Sequence, residues 1–109
     1  MIGGDDMYDL EDFLSGRLSI YCKNNAEVSG ICDLMQEHGI DVGSLRAVGR
    51  GSFRVDASCK KPRGAYSGIN AEWHVRNGFV QRWMYFADFW ASCGLSDPQI
   101  SITTLEGLV

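Results

Sequence analysis

With 109 residues, 45% of them hydrophobic and 22% charged, the chain has the composition of one globular domain able to bury a core without metal or disulfide staples. That excludes a disordered tail, and no apolar run approaches the ~20 residues of a membrane span. The net charge of −4 is modest but unevenly placed. Asp5, Asp6, Asp9, Glu11 and Asp12 crowd one end, while Arg46, Arg50, Arg54, Lys60, Lys61 and Arg63 share a central stretch whose only acid is Asp56. Residues 1–6 lack the basic and then apolar pattern of a secretory signal, so a cytoplasmic location is expected.

Taken in chain order, Asp5 or Asp6 can cap a short first helix with Met7, Leu10, Phe13 and Leu14 on one face and Gly16 as its stop. Acids in its first turns suit the positive helix N-terminus, which gives the cluster a structural reason for existing. Residues 17–23 read as a strand, with Leu18, Ile20 and Cys22 on one side. Asn24 and Asn25 then supply a cap for a second helix over 26–38, burying Val28, Ile31, Cys32 and Met35 and closing at Gly39. Residues 40–52 read as a glycine-broken loop with a short strand at 45–48. Phe53, Val55, Ala57 and Cys59 alternate as a half-buried strand, and 60–68 is a basic connection containing Pro62.

The apolar content concentrates in 69–90, which reads as a long β-hairpin. Ile69, Ala71, Trp73 and Val75 alternate with Asn70, Glu72, His74 and Arg76. Asn77 and Gly78 turn the chain, and a three-residue turn with Gly78 left-handed pairs Val75 with Phe79, Ala71 with Trp83 and Glu72 with Arg82. A rival reading makes 80–91 a helix, because Val80, Trp83, Met84, Ala87 and Ala91 also fit helical spacing. Residues 99–104 read as a last strand, and 105–109 as a further helical turn or a frayed end. The expected fold is a single small α+β domain over 1–109: a mainly antiparallel sheet of four to five strands, a helix packed on one face, and a short N-terminal helix.

Chemistry-bearing motifs are sparse. Cys22, Cys32, Cys59 and Cys93 form no C-x-x-C pair, so reduced and mostly buried thiols are expected, with neither a metal nor a cofactor. Residues 48–52 lack the spacing of a phosphate-binding loop and read as a turn. Four thiols and the two imidazoles of His38 and His74 have no spacing that selects a catalytic set, so a Cys- or His-dependent enzyme is the third choice.

Two surfaces remain. The aromatic run Trp83, Tyr85, Phe86, Phe89 and Trp90 carries residue types enriched at interface cores, and as a strand it leaves Phe86, with Met84 and Val80, for a second layer or a partner. Protein binding is therefore assigned to Asp5, Asp6, Asp9, Glu11, Asp12, Phe86 and Trp90. The alternative is nucleic-acid binding through Arg46, Arg50, Arg54, Lys60, Lys61 and Arg63 with Tyr66, Trp73 and Tyr85 nearby, although a pI of about 5.0 is low for that role. A long exposed edge over 79–89 would also permit a homodimer beside the monomer.

The stretches LSIYCKNNAE (18–27) and ICDLMQEHGI (31–40) resemble a strand–helix opening common among small phage and mobile-element proteins. Within that class are anti-CRISPR-like inhibitors, small acidic single domains that bind a host nuclease complex. The resemblance covers about the first third of the chain and carries no defined site. It implies a non-enzymatic inhibitor whose partner is a host protein or ribonucleoprotein complex, with no role for a membrane.

Overall fold

The computed structural model describes residues 2–65 and 71–94, without the side chains of 2–7 and 65. The chain runs α1 (Ile2–Leu14), β1 (Leu18–Cys22), α2 (Asn25–Glu37), a 3-10 turn (Leu45–Ala47), β2 (Gly51–Asp56), β3 (Lys61–Ala65), α3 (Ala71–Arg76), β4 (Arg82–Tyr85) and α4 (Phe86–Ser92). It is a small α+β domain on a four-stranded mixed sheet of order β3-β2-β1-β4. β1 lies antiparallel to β2 and parallel to β4, and β2 and β3 are antiparallel.

Strand alternation gives the sheet two unlike faces. Leu18, Ile20 and Cys22 of β1 and Phe53 and Val55 of β2 point inward, where α1, α2 and α4 supply Phe13, Val28, Ile31, Cys32, Met35, Phe86 and Phe89 to one apolar core. Ser19, Tyr21, Ser52 and Arg54 point to the outer face. Phe13 and Phe89 meet edge-on with ring centres 5.3 Å apart, joining the first and last described helices.

α1 begins at Ile2, ahead of the Asp5 or Asp6 cap expected from sequence. It ends where expected: Gly16 has φ +85°, its N–H donates to Phe13 O, and Arg17 N–H donates to Asp12 O. A Cβ at this position would lie 2.7 Å from Val55 O, so the closeness of the helix end to β2 also requires glycine. At α2, Asn24 Oδ1 accepts from Glu27 N–H while Glu27 Oε1 accepts from Lys23 N–H, a reciprocal cap.

The hairpin expected over 69–90 does not form. Residues 71–76 of its first arm are the helix α3, whose buried residues Ala71 and His74 are spaced by a helical turn, and Asn77–Gly78 closes α3 rather than turning a hairpin. Gly78 (φ +77°) donates to Val75 O and Phe79 N–H to His74 O, which is the Schellman closure. Asparagine–glycine with a left-handed glycine serves both structures equally well, and the local pattern does not separate them. The second arm divides between the two readings offered for it, strand over 82–85 and helix over 86–92.

Two smaller expectations are also corrected. The strand at 45–48 is a 3-10 turn, and the connection at 60–68 holds β3, whose Pro62 is tolerated because β3 is an edge strand. Residues 66–70 and the expected elements at 99–104 and 105–109 lie outside the described residues. None of the four cysteines is in a disulfide: Cys22 and Cys32 are buried, Cys93 is half-buried and Cys59 is exposed. Burial pushes both buried thiols up, away from the thiolate.

Candidate functional site

The acidic assignment separates into structural and free residues. Arg82 of β4 donates to Asp9 Oδ1 at 2.6 Å and to Asp12 Oδ2 at 2.9 Å, and Arg17 donates to Asp12 Oδ1 at 3.0 Å. Burial works to raise the Asp12 pKa, but the hydrogen bonds from Arg82 and Arg17 outweigh it and hold the carboxyl below its ordinary value. Asp9 and Asp12 thus fasten α1 to the sheet, while Glu11 stays exposed. The side chains of Asp5 and Asp6 are not among those described.

Phe86 is not available to a partner: it is 1% exposed and belongs to the core. It follows Met84 on the inward side of β4, the side that sequence reading leaves for a second layer or a partner, and α4 carries it into the core with Phe89. Trp90, one turn on, is half-buried and stacks on Phe86 at 4.7 Å with the rings 23° apart.

The basic stretch also divides. Arg46 pairs with Asp33 of α2 at 2.6 Å, apart from the sheet surface, and Arg50 is exposed just before β2. Lys60 (φ +54°) sits in the exposed β2–β3 turn. Arg54, Lys61 and Arg63 come together on the outer sheet face, because Arg54 is the cross-strand partner of Arg63, and Asp56 of Lys61. Like charges directly opposite one another are destabilising in a ladder. Arg63 is offset by Asp56, 3.3 Å away, and the Arg54 guanidinium lies over the Phe79 ring at 4.7 Å. The buried Nε of Arg54 has no hydrogen-bond partner among the described residues.

Beside these cations the outer face is aromatic. Trp83 and Tyr85 of β4 stand in register with Ser19 and Tyr21 of β1, with ring centres 4.9 Å apart for Trp83–Tyr85 and 6.1 Å for Tyr21–Tyr85. Trp73 of α3 and Phe79 add a second pair at 5.4 Å. Trp73, Phe79 and Tyr85 are 51%, 43% and 48% exposed. Phe13, Phe53, Phe86 and Phe89 fill the core with Trp90 packed against it, whereas Tyr21, Trp73, Phe79, Trp83 and Tyr85 remain half-buried or exposed on the outer side and Tyr8 is exposed on α1. A cleft of about 380 Å³ opens beside Tyr21 and Tyr85 at the carboxyl ends of the parallel strands β1 and β4, with Lys23, Glu27 and Asp88 along it.

Between the two aromatic pairs lies a buried polar contact. Ser19 Oγ and His74 Nδ1 are 2.9 Å apart with one hydrogen bond between them, and Ser19 Oγ also lies 3.4 Å from Phe53 O. Both residues are buried, so this serine and imidazole hold α3 on the sheet. Burial, and then the nearby Arg54 charge, push the His74 pKa down from its usual 6.5. The neutral imidazole is the form that folding selects, so the stability it confers is complete above about pH 6.5 and is lost as pH falls through the lower folded value. Urea midpoints measured at about pH 7.5 and about pH 5 should therefore differ more for the native chain than for His74→Gln. Equal differences would show that His74 does not titrate between folded and unfolded states.

Sequence reading missed Tyr21, Trp83 and Phe79 as surface residues. The signal for the first was present, since Tyr21 alternates against Ile20 and Cys22. The others depended on the hairpin assignment. Among the described residues no three His, Cys, Asp or Glu side chains are grouped to hold a metal, and no helix is long and apolar enough to cross a membrane. Comparison with protein-family models, with curated proteins and with solved structures found no match.

Proposed function

We propose that this protein is a non-enzymatic interaction module of the phage or mobile-element inhibitor type, anti-CRISPR-like, and that it engages a host defence or nuclease complex through the outer face of its sheet. One observation carries the reading: Tyr21, Trp73, Phe79, Trp83 and Tyr85 gather on that face, with Trp73, Phe79 and Tyr85 about half exposed, while Phe13, Phe53, Phe86 and Phe89 fill the core. Tyr and Trp are the side chains that supply most binding energy at interfaces, and leaving them in water has a cost that an absent partner would explain. Of the groups that could do chemistry, four are enclosed, while Cys59 and His38 are exposed. Ser19 and His74 are enclosed under α3, and the Cys22 and Cys32 thiols are buried and held protonated.

The test is retention of a defined bacterial complex by the tagged protein in a moderate-salt wash, compared with Trp73→Ser and Tyr85→Ser. Both variants remove exposed rings, so they should fold as the native chain does and lose at least tenfold in retention, the loss of a typical interface hot spot. Retention unchanged in both would overturn the outer face as the contact surface. The exposed Glu11 is the remaining described member of the acidic assignment, and Glu11→Lys tests it in the same assay, with unchanged retention expected.

A further inference from the structure

We infer that the occupant of the outer face is a single-stranded nucleic acid, its bases stacked on the β1–β4 rings and its phosphates on the β2–β3 cations. The inference rests on the reading of that face as the contact surface and names the chemistry that it would recognise.

Three features point the same way. The first is an electrostatic cost that the described fold leaves partly uncompensated. Arg54 and Arg63 face each other across the ladder, and the Arg63 side chain is more than half exposed. Such a pair is unfavourable in the free protein and becomes favourable when a phosphate reaches the exposed Arg63 guanidinium. The second is the adjacent platform of Tyr21, Trp83 and Tyr85. Rings displayed on a sheet bind unstacked bases, with about 1–3 kcal/mol lost per base when such a ring is removed. The third is spacing. From β3 to β4 is three strand separations, roughly 14 Å; α3 covers Ser19 between them and itself presents the half-exposed Trp73, so a strand crossing this face passes over α3 between the Lys61 and Arg63 cations and the Tyr85 ring.

The overall charge of −4 is spread over several surfaces, and on the outer side Glu72 of α3 is paired with Arg76. Glu11, Asp33 and Glu37 are exposed on α1 and α2, the helices that pack on the inner face, whereas the acid among the β2–β3 cations, Asp56, is already engaged by Arg63. At the other end of the platform, the cleft beside Tyr21 and Tyr85 has Lys23 for a phosphate, and the Glu27 and Asp88 carboxylates suit base amino groups. Double-stranded nucleic acid does not fit this arrangement, since paired bases cannot present their faces to the rings.

Fluorescence anisotropy with labelled oligo-U and oligo-dT of about 15 nucleotides, single-stranded and annealed to a complement, tests the inference on the full chain. Expected are binding to the single strands over the duplexes, and weakening of more than tenfold between about 50 and about 200 mM salt. Tyr85→Ala should weaken binding by roughly fivefold or more at every salt concentration. Arg63→Gln should weaken it at low salt and flatten the salt slope by about one. Arg63 is more than half exposed, so this variant should keep the fold. Absence of single-strand binding at low salt, or binding indifferent to both variants, would overturn the inference. If oligonucleotides fail to bind while retention of the host complex still depends on Trp73 and Tyr85, the face contacts protein and only the nucleic-acid occupant is discarded. If both fail, the contact surface itself falls.

Discussion

Phe86→Ala is expected to destabilise the protein by about 3–5 kcal/mol, the range for truncating an enclosed phenylalanine. Phe86 is 1% exposed, stacks on Trp90 and opens the helix that also carries Phe89 into the core. For a domain of this size that loss lowers the thermal midpoint by roughly 10 °C or more. Its neighbour makes the control: Tyr85 is 48% exposed, and Tyr85→Ala should cost about 1 kcal/mol or less. Thermal and urea melts followed by circular dichroism would distinguish them. A Phe86→Ala protein that melts like the native chain would mean that α4 does not turn this face inward.

Arg82→Met should cost about 2 kcal/mol. One guanidinium accounts for contacts to both Asp9 and Asp12, and removing it leaves the buried Asp12 with Arg17 alone. The full 3–5 kcal/mol of a deeply buried pair is not expected, because Arg82 is 40% exposed and water screens part of the interaction. The same contacts set an acid dependence. Since the folded Asp12 carboxyl is held below its ordinary 3.8, its contribution is present above about pH 4 and is lost as pH falls through the lower folded value. Arg82→Met should reduce that loss. The double variant Arg82→Met with Asp12→Asn should be less destabilised than the two single costs added together, because both changes remove one interaction. Strict additivity would show that α1 is held to the sheet by its apolar face alone.

These two expectations locate the limits of reading function from the residues. The acids at 9 and 12 resemble a docking patch when their partners are unknown. Their partner, Arg82, lies 70 residues further along the chain from Asp12. Phe86 resembles a surface aromatic as long as Trp83 and Tyr85 are taken for the core side of their strand. Pairing of β4 with β1 puts Trp83 and Tyr85 outside and Met84 inside, and Phe86 follows Met84 inward.

By itself the sequence determined the elements whose start and stop signals are local. β1, α2 with its Asn24 cap, the glycine ends of α1 and α2, and the α+β class followed from alternation, capping and backbone constraint, all acting within a few residues. Tertiary structure decided the rest. Asn77–Gly78 is compatible with a hairpin and with a helix cap, and the contact of His74 with Ser19, 55 residues away in sequence, accompanies the helical choice. β3, with proline and glycine in its interior, has weak intrinsic strand preference and exists as the edge partner of β2. The candidate surface was equally a product of pairing. Tyr21, Arg54, Arg63, Trp83 and Tyr85 come from four strands, and only the register that sets β4 parallel to β1 and Arg54 opposite Arg63 places rings and cations on one face.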